Sequence, residues 1–388
     1  MRAGAAIIVT AFLNVVAAAQ TPLLEAPARL GAARADDENV KPAAFNAPQD
    51  NARIVPDHVA ERTSAGQRIA PTSGRHPVED FLDRRPMVNR DEPRRSDKLG
   101  DGIADLFDPQ QPKEWLFSDH GFDCMTSPIS NPFLAEDPRA LTEIRPIFIY
   151  QKVPGEQPNF KGGSVAFFGA RGSIALTDRF SITLNKLGGI NVAPGSGSDF
   201  DSSFGFAELW LGGKYTFWRD TQSGTVAAGG LIFQIPTGSN ETLQDTGSLT
   251  LTPYVSVGKT LSEFRAGAFN GIAVAGMNFS TNDERSNYFY TSAHLDFDVG
   301  NFHRFYPVAE LNWFQYTASG RTSFSGQGHD LINTGARNFN SASLVTGALG
   351  ARFKITEASQ IGFAYELPLL GNRDLFEYRL TLDFIFRY

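Results

Sequence analysis

Apolar and polar side chains alternate along the C-terminal part of the chain, from Glu143 onward. The final segment, 375–388, shows the pattern most clearly. Its apolar face consists of Phe376, Tyr378, Leu380, Leu382, Phe384, Phe386 and Tyr388. Its polar face includes Glu377, Arg379, Thr381, Asp383 and Arg387. A strand of a transmembrane barrel needs roughly 9–11 residues with apolar side chains toward lipid and polar ones toward the interior. The pattern therefore predicts a membrane-spanning β-strand.

Twelve segments of this kind predict an all-β fold: a transmembrane antiparallel up-and-down β-barrel of about 12 strands. The segments are 143–151, 162–176, 179–187, 203–217, 224–236, 247–260, 262–279, 285–299, 303–317, 341–355, 359–369 and 374–388. Their connections tend to alternate in length, like the short periplasmic turns and longer external loops of outer-membrane barrels. The hairpin around Gly371 interrupts this alternation. A closed barrel leaves no unpaired backbone edge in lipid, where each unpaired amide costs several kcal/mol.

Two other folds fit the sequence less well. A helical membrane protein needs runs of about 20 apolar residues, and glycines such as Gly267, Gly271 and Gly276 interrupt the candidate helices. A soluble all-β protein also alternates, and it stays open as an alternative. However, its apolar faces seldom run for seven positions up to a terminal aromatic residue.

The N-terminal part is expected to contain three segments that precede the barrel. Residues 1–19 have the apolar run and small-residue end of a secretory signal peptide. Residues 20–113 are rich in Pro, Ala and charged residues, which favours a disordered periplasmic tail. This tail is either a spacer or a docking segment for a periplasmic partner. Residues 114–142 lead into the barrel, which occupies 143–388.

The polar face of the predicted strands should line the barrel interior. The candidate interior residues are Arg145, Arg171, Glu208, Lys214, Arg265, His294, Asp296, Glu310, Arg352, Glu366, Arg379 and Asp383, together with Gln151, Asn312 and Glu377. One interpretation is a salt-bridge network that fills a narrow barrel, since buried charges must be paired. The other is a polar conduit that selects small solutes by rings of charge.

Aromatic residues near the strand ends are expected to form membrane girdles. Trp218, Trp313 and Tyr316 belong to this group. Trp210 has the parity of the interior face, so it either joins a girdle or fills the bore.

Composition narrows the function further. The formal net charge is -7, which does not favour nucleic-acid binding. The chain has one cysteine, Cys124, so it cannot form an internal disulfide. Cys124 and His120 lie close together, but two potential ligands do not make a zinc site, and we expect no metal and no cofactor. His294 with Asp296 resembles part of a hydrolytic set, yet no serine can be placed beside it, so no catalytic residue is assigned.

Three short motifs resemble those of a known family. They are Asn131–Arg139 leading into Thr142–Pro146, then Tyr306–Trp313, then Gly362–Leu369. These motifs resemble planctomycete-type predicted outer-membrane proteins, a group similar to the barrel family named for the MetA pathway of phenol degradation. The resemblance covers about 115–388. It implies a barrel with a transport role and brings no catalytic residues.

Two functions follow as hypotheses. The first is a narrow outer-membrane channel or transporter for small, hydrophobic or aromatic solutes, in contact with membrane lipids. The second is a closed structural or interaction barrel that binds partners through the loop 318–340 or the N-terminal tail. A barrel enzyme acting on lipids is the least favoured function.

Overall fold

The computed structural model describes residues 116–388, except for 246, 338–341, 357 and 372. The expected signal peptide at 1–19, the tail at 20–113 and the start of the 114–142 segment lie outside the described residues. Within the described part of the chain, no helix is long and apolar enough to cross a membrane.

The described residues form one antiparallel sheet of thirteen strands. The strands are β1 Glu143–Lys152, β2 Gly163–Ala175, β3 Phe180–Pro194, β4 Ser203–Phe206, β5 Leu209–Asp220, β6 Thr225–Ile235, β7 Thr250–Phe264, β8 Gly267–Ser280, β9 Asn287–Val299, β10 Phe305–Ala318, β11 Ser343–Lys354, β12 Ser359–Pro368 and β13 Tyr378–Arg387. Two short 3-10 turns, His120–Phe122 and Asn240–Thr242, lie outside the sheet.

The sheet closes into a barrel because β1 pairs with both β2 and β13, and β2 also pairs with β3. Strands β4 and β5 pair with successive parts of the same edge of β3. They therefore fill one strand position that is interrupted at Ala207 and Glu208. The barrel has twelve strand positions, and the prediction of a 12-stranded antiparallel barrel is confirmed.

Short and long connections alternate around the barrel. The short ones, such as 176–179 and 265–266, lie at the end we call the turn end. The long ones, such as 153–162 and 319–342, lie at the loop end. The predicted interruption near Gly371 is absent, because β12 ends at Pro368 and β13 begins only at Tyr378. The last hairpin is thus a long loop like the others.

Alternation along the strands divides the side chains between two faces. In β9, for example, Tyr288, Tyr290, Ser292, His294, Asp296 and Asp298 are buried, and the residues between them are half-buried or exposed. All thirteen strands carry at least one exposed large apolar side chain. An apolar exterior around a polar interior is typical of a barrel surrounded by lipid.

Three predictions about the strands need correction. Arg265 was expected in the interior, but it lies exposed in the turn between β7 and β8. The predicted turn at Leu261 does not form, because a β-bulge between Thr260 and Ser262 lets β7 continue to Phe264. Phe376 was expected to face lipid. It is instead fully buried in the hairpin before β13.

The tight turn after Arg265 depends on a glycine. Gly267 has a φ of 151°, and a Cβ at this position would lie 2.3 Å from the carbonyl oxygen of Asp298. Only glycine fits this close approach of two backbones.

The apolar exterior predicts a depth-dependent cost for charge. Leu349 lies at the middle of β11 and is 57% exposed, whereas Phe353 lies near its turn end. We expect Leu349→Arg to lower the free energy of unfolding by about 2–4 kcal/mol in lipid vesicles, and Phe353→Arg by about 0–1 kcal/mol. Equilibrium denaturation of vesicle-bound protein measures both. Equal costs at the two positions would contradict a membrane around this face.

Candidate functional site

The barrel interior is filled from the turn end by the segment that precedes β1. We call residues 118–142 the plug. The plug begins and ends at the turn end, where Ser118 N donates to Tyr388 O at 3.0 Å and Tyr388 N donates to Thr142 O at 2.9 Å. All residues from Cys124 to Leu141 are buried. The plug therefore makes an excursion into the barrel and returns to start β1.

The first group of interior charges surrounds Asp383 of β13. Arg352 of β11 donates to both carboxylate oxygens of Asp383 at 2.9 Å, and Arg145 of β1 donates to the same carboxylate. The two arginines also hold the plug, since Arg352 donates to Ser127 O at 3.2 Å and Arg145 donates to Pro128 O. One carboxylate between two guanidinium groups thus ties three strands to the plug.

The second group surrounds His294. Its Nδ1 lies 2.7 Å from Glu310 Oε1, and its Nε2 lies 3.3 Å from Asp296 Oδ2. Thr126 of the plug donates to Asp296 from both its backbone N–H and its hydroxyl, each at 2.8 Å. Glu310 accepts from the backbone N–H groups of Ile129 and Ser130, at 2.7 and 2.5 Å. Two wall carboxylates therefore bind the plug backbone.

The same group resembles a hydrolytic triad in outline, because the Thr126 hydroxyl lies 3.2 Å from His294 Nε2. Its chemistry differs from that of a nucleophile, since the hydroxyl donates to Asp296. The cleft beside His294 and Glu310 is also too narrow for a water-sized sphere. In this conformation the group binds the plug.

The third group is formed by β2, β3 and β5 around Glu136 of the plug. Arg171 donates to Glu136 Oε1 at 2.7 Å, Asn185 donates to the same oxygen, and Lys214 Nζ lies 3.9 Å from Oε2. Lys214 also donates to Asp137 O at 2.6 Å. Here the wall is basic and the plug supplies the acid.

The plug is internally braced by Asp137 and Arg139, which are both buried. Arg139 Nε donates to Asp137 Oδ1 at 2.9 Å and its Nη1 donates to Phe122 O at 3.0 Å. Burial by itself would raise the pKa of Asp137, but the Arg139 guanidinium outweighs this and holds the pKa far below its usual range. The pair stays ionised, so the plug keeps its folded form inside the barrel.

An apolar layer crosses the middle of the interior. Phe133 at the tip of the plug packs edge-on against Phe167 of β2 and Trp210 of β5, with ring centroids 5.0 and 5.8 Å apart. Ile147 and Ile149 of β1 belong to the same cluster. Along β1, this layer separates Arg145 on the turn side from Gln151 on the loop side.

From the loop end, residues 319–337 fold inward, and we call them the inner loop. Asp330 at its tip accepts two hydrogen bonds from Arg379 of β13, at 2.7 and 2.8 Å. Lys186 of β3 donates to the carbonyl oxygens of Asp330 and Leu331, at 3.2 and 3.0 Å. Leu331 and Ile332 reach the apolar layer. The barrel is thus closed from both ends.

Further charges complete this upper region. Glu208 lies 2.5 Å from Arg285 and 3.6 Å from Lys186. Glu366 accepts from Asn312 at 3.0 Å and lies 3.9 Å from Arg379.

Two titratable groups hold the inner loop in place. His329 lies between the rings of Phe314 and Phe376, at centroid distances of 4.5 and 5.7 Å. Asp374, in the hairpin before β13, accepts from the backbone N–H groups of Gln327 and Gly328 at 2.7 and 2.8 Å. Burial lowers the pKa of His329 to about 4 and raises the pKa of Asp374 to about 6.

Eleven of the twelve candidate residues lie buried in the interior, and all but Arg265 take part in these groups. Gln151 and Asn312 are also buried, while Glu377 is half-buried in the last hairpin. The sequence pattern missed the partners of these residues: Glu136, Lys186, Arg285 and Asp330. Glu136 and Asp330 are in segments without periodicity. Lys186 is next to a bulge in β3 that buries both Asn185 and Lys186.

The expected girdle residues divide between the two faces. Trp218 and Trp313 are exposed, as a girdle requires, and Trp210 fills the bore. Tyr316, expected in the girdle, is buried inside, where its hydroxyl donates to Gly328 O at 2.6 Å. Among the described residues, no group of three or more His, Cys, Asp or Glu side chains is placed to hold a metal ion.

Asp383 should be the costliest single charge to remove. Asp383→Asn leaves Arg145 and Arg352 buried without their anion, which typically costs about 3–5 kcal/mol. Chemical unfolding in detergent should show this loss. Asp283→Asn, at an exposed position of an outer loop, is the matched control and should stay within about 0.5 kcal/mol. A small effect at Asp383 would show that water reaches the two arginines.

The inner loop should respond to pH through two opposed groups. The lowered pKa of His329 means that docking of the loop weakens as pH falls from about 6.5 through about 4. The raised pKa of Asp374 means that docking strengthens as pH falls from about 6 through 3.8. Asp374→Asn should leave only the first effect, so acid loosens the loop. His329→Phe should leave only the second.

Hydrogen exchange of the amides of 327–334, corrected for intrinsic rates, measures this docking at pH 4.5 and pH 7. Protection that changes in the same direction in both variants would contradict the assignment.

Comparisons with known proteins find similarity at the level of solved structures alone. No protein-family model matches the chain, and no curated protein matches it in sequence. An outer-membrane channel from Pseudomonas putida F1 is similar at 13% identity and a TM-score of 0.49, over 68% of this chain and 100% of that one. The KdgM porin, in complex with disordered oligogalacturonate, is similar at 9% identity and a TM-score of 0.37, over 63% and 99%. The NanC porin is similar at 7% identity and a TM-score of 0.38, over 64% and 99%.

Proposed function

We propose that the protein is an outer-membrane channel for small solutes that is closed in this conformation by its plug and inner loop. The apolar exterior supports a position in lipid. The short turns would then face the periplasm and the long loops the outside, as in other outer-membrane barrels. The plug would enter from the periplasm, so the residues before it would also lie there, where they could meet a periplasmic partner.

The observation that carries this proposal is the division of charge between the wall and the plug. Wall charges such as Asp383, Arg145 and Arg352 pair with each other and would stay neutralised with or without the plug, so the informative region is the one around Glu136. Here Arg171 and Lys214 of the wall find their acid on the plug, at Glu136. Withdrawal of the plug would therefore leave a polar passage that water and solutes can fill.

The free energy of each contact between the wall and the plug is small enough for the plug to leave the barrel. A hydrogen bond from a charged wall group to the plug backbone contributes a net of about 1.5–3 kcal/mol, because water replaces it on withdrawal. Burial of Phe133 in the apolar layer adds about 1.5–3 kcal/mol. The buried part of the plug is thus held by noncovalent contacts, since its covalent continuation into β1 lies at the turn end.

The apolar layer supports a preference for solutes with a hydrophobic or aromatic part. Phe167, Trp210 and Ile147 would form the walls of the open passage at its middle. The sequence resemblance to the phenol-degradation barrel family points the same way, and membership of that family is part of this proposal.

The second candidate is a closed scaffold. It is favoured by the filling of the barrel from both ends, since Leu331 of the inner loop and Phe133 of the plug belong to one apolar cluster. A scaffold would keep both segments in place and use its outer loops or tail for contacts.

A redox lock on the plug separates the two functions. Cys124 Sγ in the plug lies 3.5 Å from Thr260 Oγ1 of β7, so Thr260→Cys brings two sulfurs within reach of a disulfide. In planar bilayers we expect openings of the wild type under applied voltage, no openings of oxidised Thr260→Cys, and their return after reduction.

Wild-type protein, with Cys124 as its one cysteine, is the control and should not respond to oxidant. Equal opening of the oxidised and reduced variant would show that plug withdrawal is not the gate. Silence of the wild type over many insertions would favour the scaffold.

A further inference from the structure

We infer that the wall groups around Glu136 form a binding site for the carboxylate of an aromatic or hydrophobic organic acid, and that the plug occupies this site as a substitute for the solute. The inference rests on the proposed function and names the class of solute. Its basis is the set of contacts that one short stretch of the plug, Phe133 to Glu136, makes with side chains of the wall.

The carboxylate of Glu136 sits in a basic recess of the wall. Arg171 of β2 donates to it at 2.7 Å, Asn185 of β3 donates to the same oxygen, and Lys214 of β5 lies 3.9 Å away. All three wall side chains are buried. Arg171 forms its ion pair with Glu136 of the plug, while Glu143 of β1 acts on it only at longer range. A buried guanidinium needs a paired anion, and a solute carboxylate has the same chemistry as the Glu136 side chain.

The aromatic ring of Phe133 lies in the adjoining apolar recess. It packs edge-on against Phe167 and Trp210, and Lys186 Nζ lies 5.4 Å from its centroid and 5.0 Å from that of Trp210. The recess is thus built for a ring, with a cation placed over the aromatic faces. A solute that carries both a ring and a carboxylate would fill both recesses together.

The fit of the plug to the wall leaves polar atoms that a different occupant can use. At these two recesses, the buried side-chain atoms without a hydrogen-bond partner include Trp210 Nε1, Asn185 Oδ1 and Glu136 Oε2. Such groups are rare in folded proteins and call for an explanation. A solute with an acceptor near its ring would satisfy the indole N–H that the phenyl ring of Phe133 cannot.

Competition between the plug and a solute for the same site would couple solute binding to opening of the channel. An aromatic carboxylate that takes the two recesses displaces the same contacts that hold the plug tip. The solute would therefore favour the open state by binding it better than the closed one.

The test uses full-length protein in planar bilayers and 3-phenylpropanoate as the probe, with the uncharged 3-phenylpropanamide as its matched control. Glu136→Gln removes the plug's own anion and should raise the open fraction of the channel. In the open channel, 3-phenylpropanoate should block the KCl current at a concentration about tenfold lower than the amide does, a factor that corresponds to about 1.4 kcal/mol.

Second substitutions in the Glu136→Gln background locate the site. Adding Arg171→Gln should abolish the tenfold difference, whereas Arg171→Lys, which keeps the charge, should retain part of it. Adding Lys259→Gln, which removes an exposed lysine of β7, should leave the difference unchanged. Circular dichroism of each variant reports whether the barrel has folded. If Arg171→Gln does not fold, Arg171→Lys is the test variant, and it should show a difference smaller than tenfold.

The outcomes separate the two levels of the proposal. An open fraction that does not rise in Glu136→Gln overturns the plug as gate, and with it this site. A raised open fraction with equal block by the acid and the amide overturns the carboxylate site alone. A tenfold difference between the acid and the amide that persists after Arg171→Gln also overturns the carboxylate site alone.

Discussion

Every backbone amide of the membrane-spanning strands must find a partner within the sheet, because a lipid exterior offers none. The pairing of β1 with β13 meets that demand by closing the ring. Closure of twelve strand positions creates a second demand, since an interior of this width is not filled by wall side chains alone. The plug and the inner loop meet this second demand. They bring irregular backbone into the barrel, and that backbone needs partners of its own.

The charged interior supplies those partners. Glu310 accepts from two plug N–H groups, and Arg145 and Arg352 donate to plug carbonyl oxygens while they share Asp383. The same charges therefore neutralise each other and satisfy the backbone of the filling segments. This double role explains why both signs of charge occur in comparable number on the interior face. It also makes the closed state polar enough to be exchanged for water, which is the property a gated passage needs.

The two ends of the barrel are closed in different ways. The plug is continuous with β1 and presents acid groups such as Glu136 to a basic wall. The inner loop is anchored by Asp330 on Arg379 and by Asp374 on the loop backbone, with His329 between two aromatic rings. The two titratable groups at the inner loop have opposed pKa shifts, whereas in the proposed function a solute competes with the plug. The closures meet in one apolar layer, so movement of either changes the packing of the other.

The sequence by itself determined the barrel, its strand count and the inward face of almost every strand, because a period of two is a local property that lipid on one side makes strict. It therefore placed Arg145, Glu310 and Asp383 correctly. The alternation of apolar and polar residues predicted the wrong position for Arg265, because a bulge in β7 moves the turn. Local periodicity does not encode bulges. Only the tertiary structure decided what the interior contains. The plug and the inner loop have no periodic pattern of apolar and polar residues. Their positions depend on long-range pairs such as Glu136 with Arg171, which form only when the closed sheet brings distant strands together.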